Sequence, residues 1–249
     1  MLRGLLGLTW LEIKIFVREP MGVFGTVGIP VLLFVVLGRV VGPRARSGSP
    51  DVPRFISVDL PIFASLLIAA SAVLSLIAIM AIYREGGILK RLRATPLSPV
   101  TILGSHVLVK LAFTLATMVL MIFAGRRVLP GAMPEHPVSF IAAVMLGTTS
   151  ILSFGFVMAS LVRSARFAQA LGAALTYVML ALSGVFFSVE RLPGWLQVVA
   201  NALPTTHAVR LMRAIWSGAG WSTQLTTVAA LAAIFAVCIA FSTRWFRWE

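Results

Sequence analysis

Six apolar runs, at roughly 21–41, 56–82, 100–125, 138–162, 167–188 and 223–243, decide what this chain can fold into. Each is close to the ~20 residues that a helix needs to cross ~30 Å of hydrocarbon. In hydrocarbon no water bonds a free backbone N–H or C=O, so such runs fold as helices. Of the 249 residues 59% are hydrophobic and only 12% are charged, more apolar surface than a soluble domain of this size can bury. The fold class predicted is an all-α membrane protein with six transmembrane helices, forming a single transmembrane domain over 1–249.

The formal charge of +13 raises the question of nucleic acid. The cations lie in the short segments between apolar runs, not in a stripe on a soluble face, so no nucleic-acid partner is expected. Six spans put both termini on one side. With that side cytoplasmic, eleven cations fall inside and nine outside, a weak bias of the usual sign. The expected location is the inner or plasma membrane, multi-pass, with both termini cytoplasmic. Cys238 stands alone in an apolar run, which leaves no disulfide framework. Residues 42–55 hold three prolines, two glycines and two serines and read as a loop.

Three shorter segments break the pattern. Residues 1–20 mix Leu5, Leu8, Trp10, Leu11, Ile15 and Phe16 with Glu12, Lys14, Arg18 and Glu19, and read as a helix lying in the membrane interface. Glu12 and Glu19 share a face there, either toward a partner or toward solvent. Residues 83–99 set Arg84, Lys90, Arg91 and Arg93 beside Glu85, with Ile88, Leu89, Leu92 and Leu97 at helical spacing and Pro96 and Pro99 at the end. A short amphipathic helix on a membrane face fits, bound either to a soluble partner or to anionic headgroups. Residues 190–218 give two short amphipathic helices starting at Leu192-Pro193 and Leu203-Pro204. Neither is long enough to span, so a re-entrant hairpin before the last span is expected on the extracellular side.

At these residues the chain resembles a known family. Segment 83–99 is similar to the cytoplasmic coupling segment of ABC-2 type transporter permeases, through Glu85, Gly87, Leu92, Thr95, Pro96, Leu97 and Ser98. Ile88 and Lys90 depart from that pattern, standing where a threonine is usual and an acid common. Segment 190–218 is similar to the same family's closing motif, through Leu192, Pro193, Trp195, Leu196, Pro204, His207, Ala208 and Arg210. The resemblance implies a half-transporter that pairs with a second copy of itself, each copy seated on a separate ABC ATPase subunit. The chain has no G-x-x-x-x-G-K-[ST] phosphate loop, so ATP and Mg would be bound by that partner, with no cofactor in this chain. Glu85, Gly87, Arg91, Leu92, Thr95 and Pro96 would carry the coupling contact, and residues 84–98 would pass ATPase closure to the second and third spans.

The resemblance further implies an exporter, with an amphipathic drug-like or lipid-like substrate moving outward by alternating access. Export of a lipid-linked polysaccharide shares the same layout, and an ATP-independent channel or carrier is the alternative from another class. Candidate substrate-path residues are Ser71 and Ser75 in the second run and Thr176, Tyr177, Ser183 and Phe186 in the fifth. In that family, spans one, two and five face each other across the two copies. Helix packing is the competing role for such hydroxyls, at ~0.6 kcal/mol each on average. Pro193, Trp195, Pro204, His207 and Arg210 are the hairpin candidates, with His207, Arg210 and Arg213 either lining a vestibule or pairing with Glu190. His106 and Lys110 sit four apart in the third run. The reading favoured is that Lys110 snorkels to the interface and His106 bonds a neighbouring helix, since no carboxylate lies at the centre of a span to complete a relay. The acids are scattered and the three histidines far apart, so neither a metal site nor a catalytic constellation is expected.

Overall fold

The computed structural model describes residues 2–46, 60–87, 99–128, 134–161 and 164–245, and these are helical throughout apart from short turns. Helix α1 covers Leu2–Val17. After a turn, α2 (Pro20–Val23) passes through a single π turn, Phe24–Gly28, into α3 (Ile29–Arg46). Then follow α4 (Leu60–Glu85), α5 (Pro99–Val128), α6 (Pro137–Leu161) and α7 (Ala165–Leu182). Two short helices, α8 (Gly194–Ala202) and α9 (Pro204–Trp216), precede the last, α10 (Leu225–Trp245).

Prolines open several of these helices. Pro20 and Pro204 sit in first turns, where a missing N–H costs nothing. Ser164 caps α7, its Oγ accepting from the Phe167 N–H at 3.4 Å. Gly87, at φ +65°, follows the end of α4 in a left-handed conformation that side-chain-bearing residues rarely adopt.

Five described helical segments are long and apolar enough to cross a membrane: Pro20–Val40, Ile62–Tyr83, Gly104–Arg127, Pro137–Ala159 and Trp221–Ser242. The protein is therefore a multi-pass membrane protein. The run at 167–188, expected as a full span, is the shorter apolar helix Arg166–Leu182. It stops early because other groups take its last carbonyls. Thr205 Oγ1 donates to Met179 O and Thr206 Oγ1 to Leu182 O, each at 3.2 Å, and Arg213 donates to Gly184 O at 3.3 Å. With Ser183 on Leu180 O, three of the last four carbonyls of α7 have partners, and the chain turns at Ser183 and Gly184 (φ +87°).

The loop expected at 42–55 is also corrected in part. The α3 backbone stays helical through Pro43 to Arg46, and 47–59 lie outside the described residues.

Helix α6 is the centre of the packing and touches α4, α5, α9 and α10. Its contact with α9 is a close backbone approach: a Cβ added at Gly147 would lie 2.9 Å from Ala208 Cβ. Ser150 Oγ donates to Leu231 O at 3.0 Å and ties α6 to α10. Helix α4 packs along α6 and α7, burying Leu66, Ile68, Leu76 and Ile77. Gly147→Leu is expected to force α9 off α6 at about 1–3 kcal/mol. Gly7→Ala, where nothing lies within 4 Å, is expected to be neutral or slightly stabilising. Thermal unfolding in detergent checks both.

Candidate functional site

The segment that carries the coupling resemblance joins α4 to α5. Glu85 is the exposed last residue of α4, the Gly86 N–H donates to Ile82 O at 2.9 Å, and Gly87 makes the left-handed turn. Residues 88–98, and with them Arg91, Leu92, Thr95 and Pro96, lie outside the described residues. The chain rejoins at Pro99, the first residue of α5. A force applied to this segment therefore acts on the roots of two long helices.

Those two roots are joined by a side chain from a third helix. Glu12, on α1, accepts a hydrogen bond from the Tyr83 hydroxyl at 3.0 Å, two residues before the end of α4. The same oxygen, Oε1, lies 3.7 Å from His106 Nε2 on α5, and the Tyr83 and His106 rings meet edge to face at 5.5 Å. One turn on, Lys110 donates to Ser75 on α4, and its ammonium lies 4.9 Å from the centre of the Phe16 ring on α1. Phe16 in turn packs on Phe113 of α5 at 4.5 Å. His106 and Lys110 are each 2% exposed, and Glu12 17%. Burial of this kind persists only where hydrogen bonds and opposite charge replace water.

This joint corrects two expectations. Lys110 does not snorkel: it points inward, where a serine hydroxyl and an aromatic face receive it. A carboxylate does reach the His106–Lys110 pair. It comes not from a span but from α1, whose periodicity places Glu12, Phe16 and Leu5 toward α5 and leaves Leu6, Trp10, Leu11 and Ile15 exposed. The sequence signal was four-residue spacing on both helices, Glu12 with Phe16 and His106 with Lys110. Pairing them needed the fold. Glu19 is exposed.

The hairpin packs on α6 through α9, while its hydrogen bonds run within itself and to α7. Pro193 flanks the start of α8, and Pro204 opens α9 and is buried. Trp195 is 69% exposed on α8. His207 Nε2 bonds Asn201 O at 2.9 Å, and Arg210 pairs with Glu190 at 3.7 Å in an open setting. The sequence reading passed over Thr205 and Thr206, although they hold the end of α7.

The six candidate path residues do not face one lumen within a single chain. Ser71 bonds back to Ile68 O at 2.8 Å, and Ser75 receives Lys110. Ser183 caps its own helix through Leu180 O at 2.7 Å. Thr176 is buried with its hydroxyl unpartnered, and with Thr205 it lines a small apolar cavity bounded by Leu66, Val73, Ile151 and Met179. Tyr177 and Phe186 point outward, the latter edge-on to Phe63 at 5.6 Å. Among the described residues no cluster of three metal-ligating side chains occurs.

Residues 3–216 match the family model described as ABC-2 type transporter. No curated protein matches. The matched stretch takes in α1, the α4–α5 connection and the hairpin.

Thr205→Val with Thr206→Val is expected to cost about 1–3 kcal/mol, because it strips donors from two buried carbonyls. Arg210→Ala is expected to change stability by less than about 1 kcal/mol, since its ion pair is open to solvent. Melting curves of the two variants side by side test this ranking.

Proposed function

The chain belongs to the ABC-2 type transporter family, and we propose that it is the permease half of an ATP-driven exporter working as two copies, each on a separate ABC ATPase subunit. Family membership makes it a membrane transport subunit of an ABC system. The finer reading is that the ATPase docks on residues 84–98 and on α1, with α1 lying in the membrane interface and the α8–α9 hairpin re-entering from the outer face. Closure of the ATPase would then tilt α4 and α5 and open the pathway outward.

The observation that carries this reading is the cross-bracing of α1, α4 and α5 by Glu12 and Phe16 beside the coupling segment. A partner pressing on that segment moves three helices together instead of bending a loop. The exposed face of α1 supports the interfacial placement: Trp10 and Leu11 stand clear beside Lys14, apolar anchors next to a cation.

The cargo proposed is an amphipathic drug-like or lipid-like molecule. Apolar groups with sparse hydroxyls support it, since Tyr177, Val178, Phe186 and Phe187 are exposed on and after α7 and offer no charge to a polar solute. A second copy packed against this face would enclose the pathway between the two chains.

The test is copurification with a candidate ABC ATPase and assay of ATP hydrolysis. Glu85→Ala is expected to weaken coupling, and Gly87→Pro to abolish it, because proline cannot take φ +65°. Wild-type hydrolysis and transport in both variants, or failure of any ATPase to associate, would overturn the assignment.

A further inference from the structure

The joint at Glu12 leaves one polar atom unaccounted for. His106 Nε2 is enclosed and has no hydrogen-bond partner, although Glu12 Oε1 lies 3.7 Å away. That distance is too long for a hydrogen bond, and the oxygen already accepts from Tyr83. Buried polar atoms are nearly always partnered, so an exception of this kind points to a missing ligand.

We infer that His106 is a proton-binding site built into the joint between α1, α4 and α5, and that its occupancy decides how tightly α1 is held. The reasoning starts from the groups that face the ring. They are Glu12 from α1, Tyr83 from α4 and Lys110 one turn along α5. With Glu12 ionised, Lys110 charged and His106 neutral, the cluster carries no net charge. The neutral ring turns toward the carboxylate either the lone pair of a bare Nε2, which is repulsive, or an uncharged N–H 3.7 Å away, too far to bond. In either tautomer a proton from solvent leaves Nε2 an N–H donor and gives the ring a positive charge where the carboxylate stands. Closing the 3.7 Å gap by less than an ångström then makes a charge-assisted hydrogen bond from α5 to α1. Lys110 opposes the added charge but already has Ser75 and the Phe16 face as partners. A metal ion is a poor occupant, because one imidazole and one carboxylate beside an ammonium make no ligand set.

The consequence is a contact between α1 and the root of α5 that strengthens as pH falls. It needs no ATPase, so it can be tested on the full chain alone in lipid nanodiscs. The sequence has three histidines, His106, His136 and His207, and ¹⁵N-histidine spectra resolve them by substitution. His106→Gln identifies the signal; if that variant does not fold, His136→Gln and His207→Gln identify it by elimination. The His106 signal is expected to pass from neutral ring to imidazolium as the pH is lowered. Amide exchange of residues 2–17, corrected for its intrinsic pH dependence, is expected to slow by about tenfold over the same titration, the order of a hydrogen bond to a charged group. Glu12→Gln keeps a titrating His106 and loses the slowing. A His106 signal that stays neutral throughout, or a slowing that persists in Glu12→Gln, would overturn the inference.

Discussion

The carbonyls at the end of α7 have no water to turn to, and the packing of the hairpin follows from that constraint. Two threonines at the start of α9 bond Met179 and Leu182, and Arg213 bonds Gly184. To deliver these donors, α9 must lie deep against α6, and Gly147 gives it room beside Ala208. The result is a helix of 13 residues, about 20 Å long, that buries Val209, Leu211, Met212 and Ile215 without crossing the structure. The same donors set where α7 stops and leave the aromatic residues after it, Phe186 and Phe187, at the surface.

At the roots of α4 and α5 the fold uses polar groups where it could have used apolar ones. A carboxylate, a phenol, an imidazole and an ammonium are costly to bury, and leucines there would hold the helices together at least as well. What the polar set adds is direction. A hydrogen bond of 3.0 Å from Tyr83 to Glu12 fixes the register of α1 against α4, and the Phe16–Phe113 contact fixes it against α5. The end of α4 and the start of α5 thereby have defined positions relative to α1.

Much of this layout is legible in the sequence, because apolar runs and prolines are local signals. The starts of α8 and α9 fall at Pro193 and Pro204, where proline chemistry puts them. The length of α7 was not legible, since its end is set by Thr205 and Thr206, more than twenty residues downstream in the chain. Pro43 read as a loop breaker because proline removes a helix hydrogen bond, yet the α3 backbone runs on to Arg46. Lys110 read as a snorkelling residue because its partners, Ser75 and Phe16, come from two other helices. The polar joint is the clearest case. Each member is visible in the sequence, but nothing local connects Glu12 with Tyr83, a separation of 71 residues.

The central claim is that α1, the end of α4 and the start of α5 move as one body when the α4–α5 connection is displaced. Spin labels test it most directly, in a Cys238→Ser background that removes the lone native thiol. One pair would join Leu11→Cys on α1 to Leu108→Cys near the start of α5, and the other Leu108→Cys to Val237→Cys on α10, all exposed positions. Distances are measured in the proposed complex with an ABC ATPase, nucleotide-free and ATP-bound. The first distance should stay within about 2 Å while the second shifts by more than the 1–2 Å of small helix adjustments. A change in the α1–α5 distance as large as the change between α5 and α10 would contradict the claim.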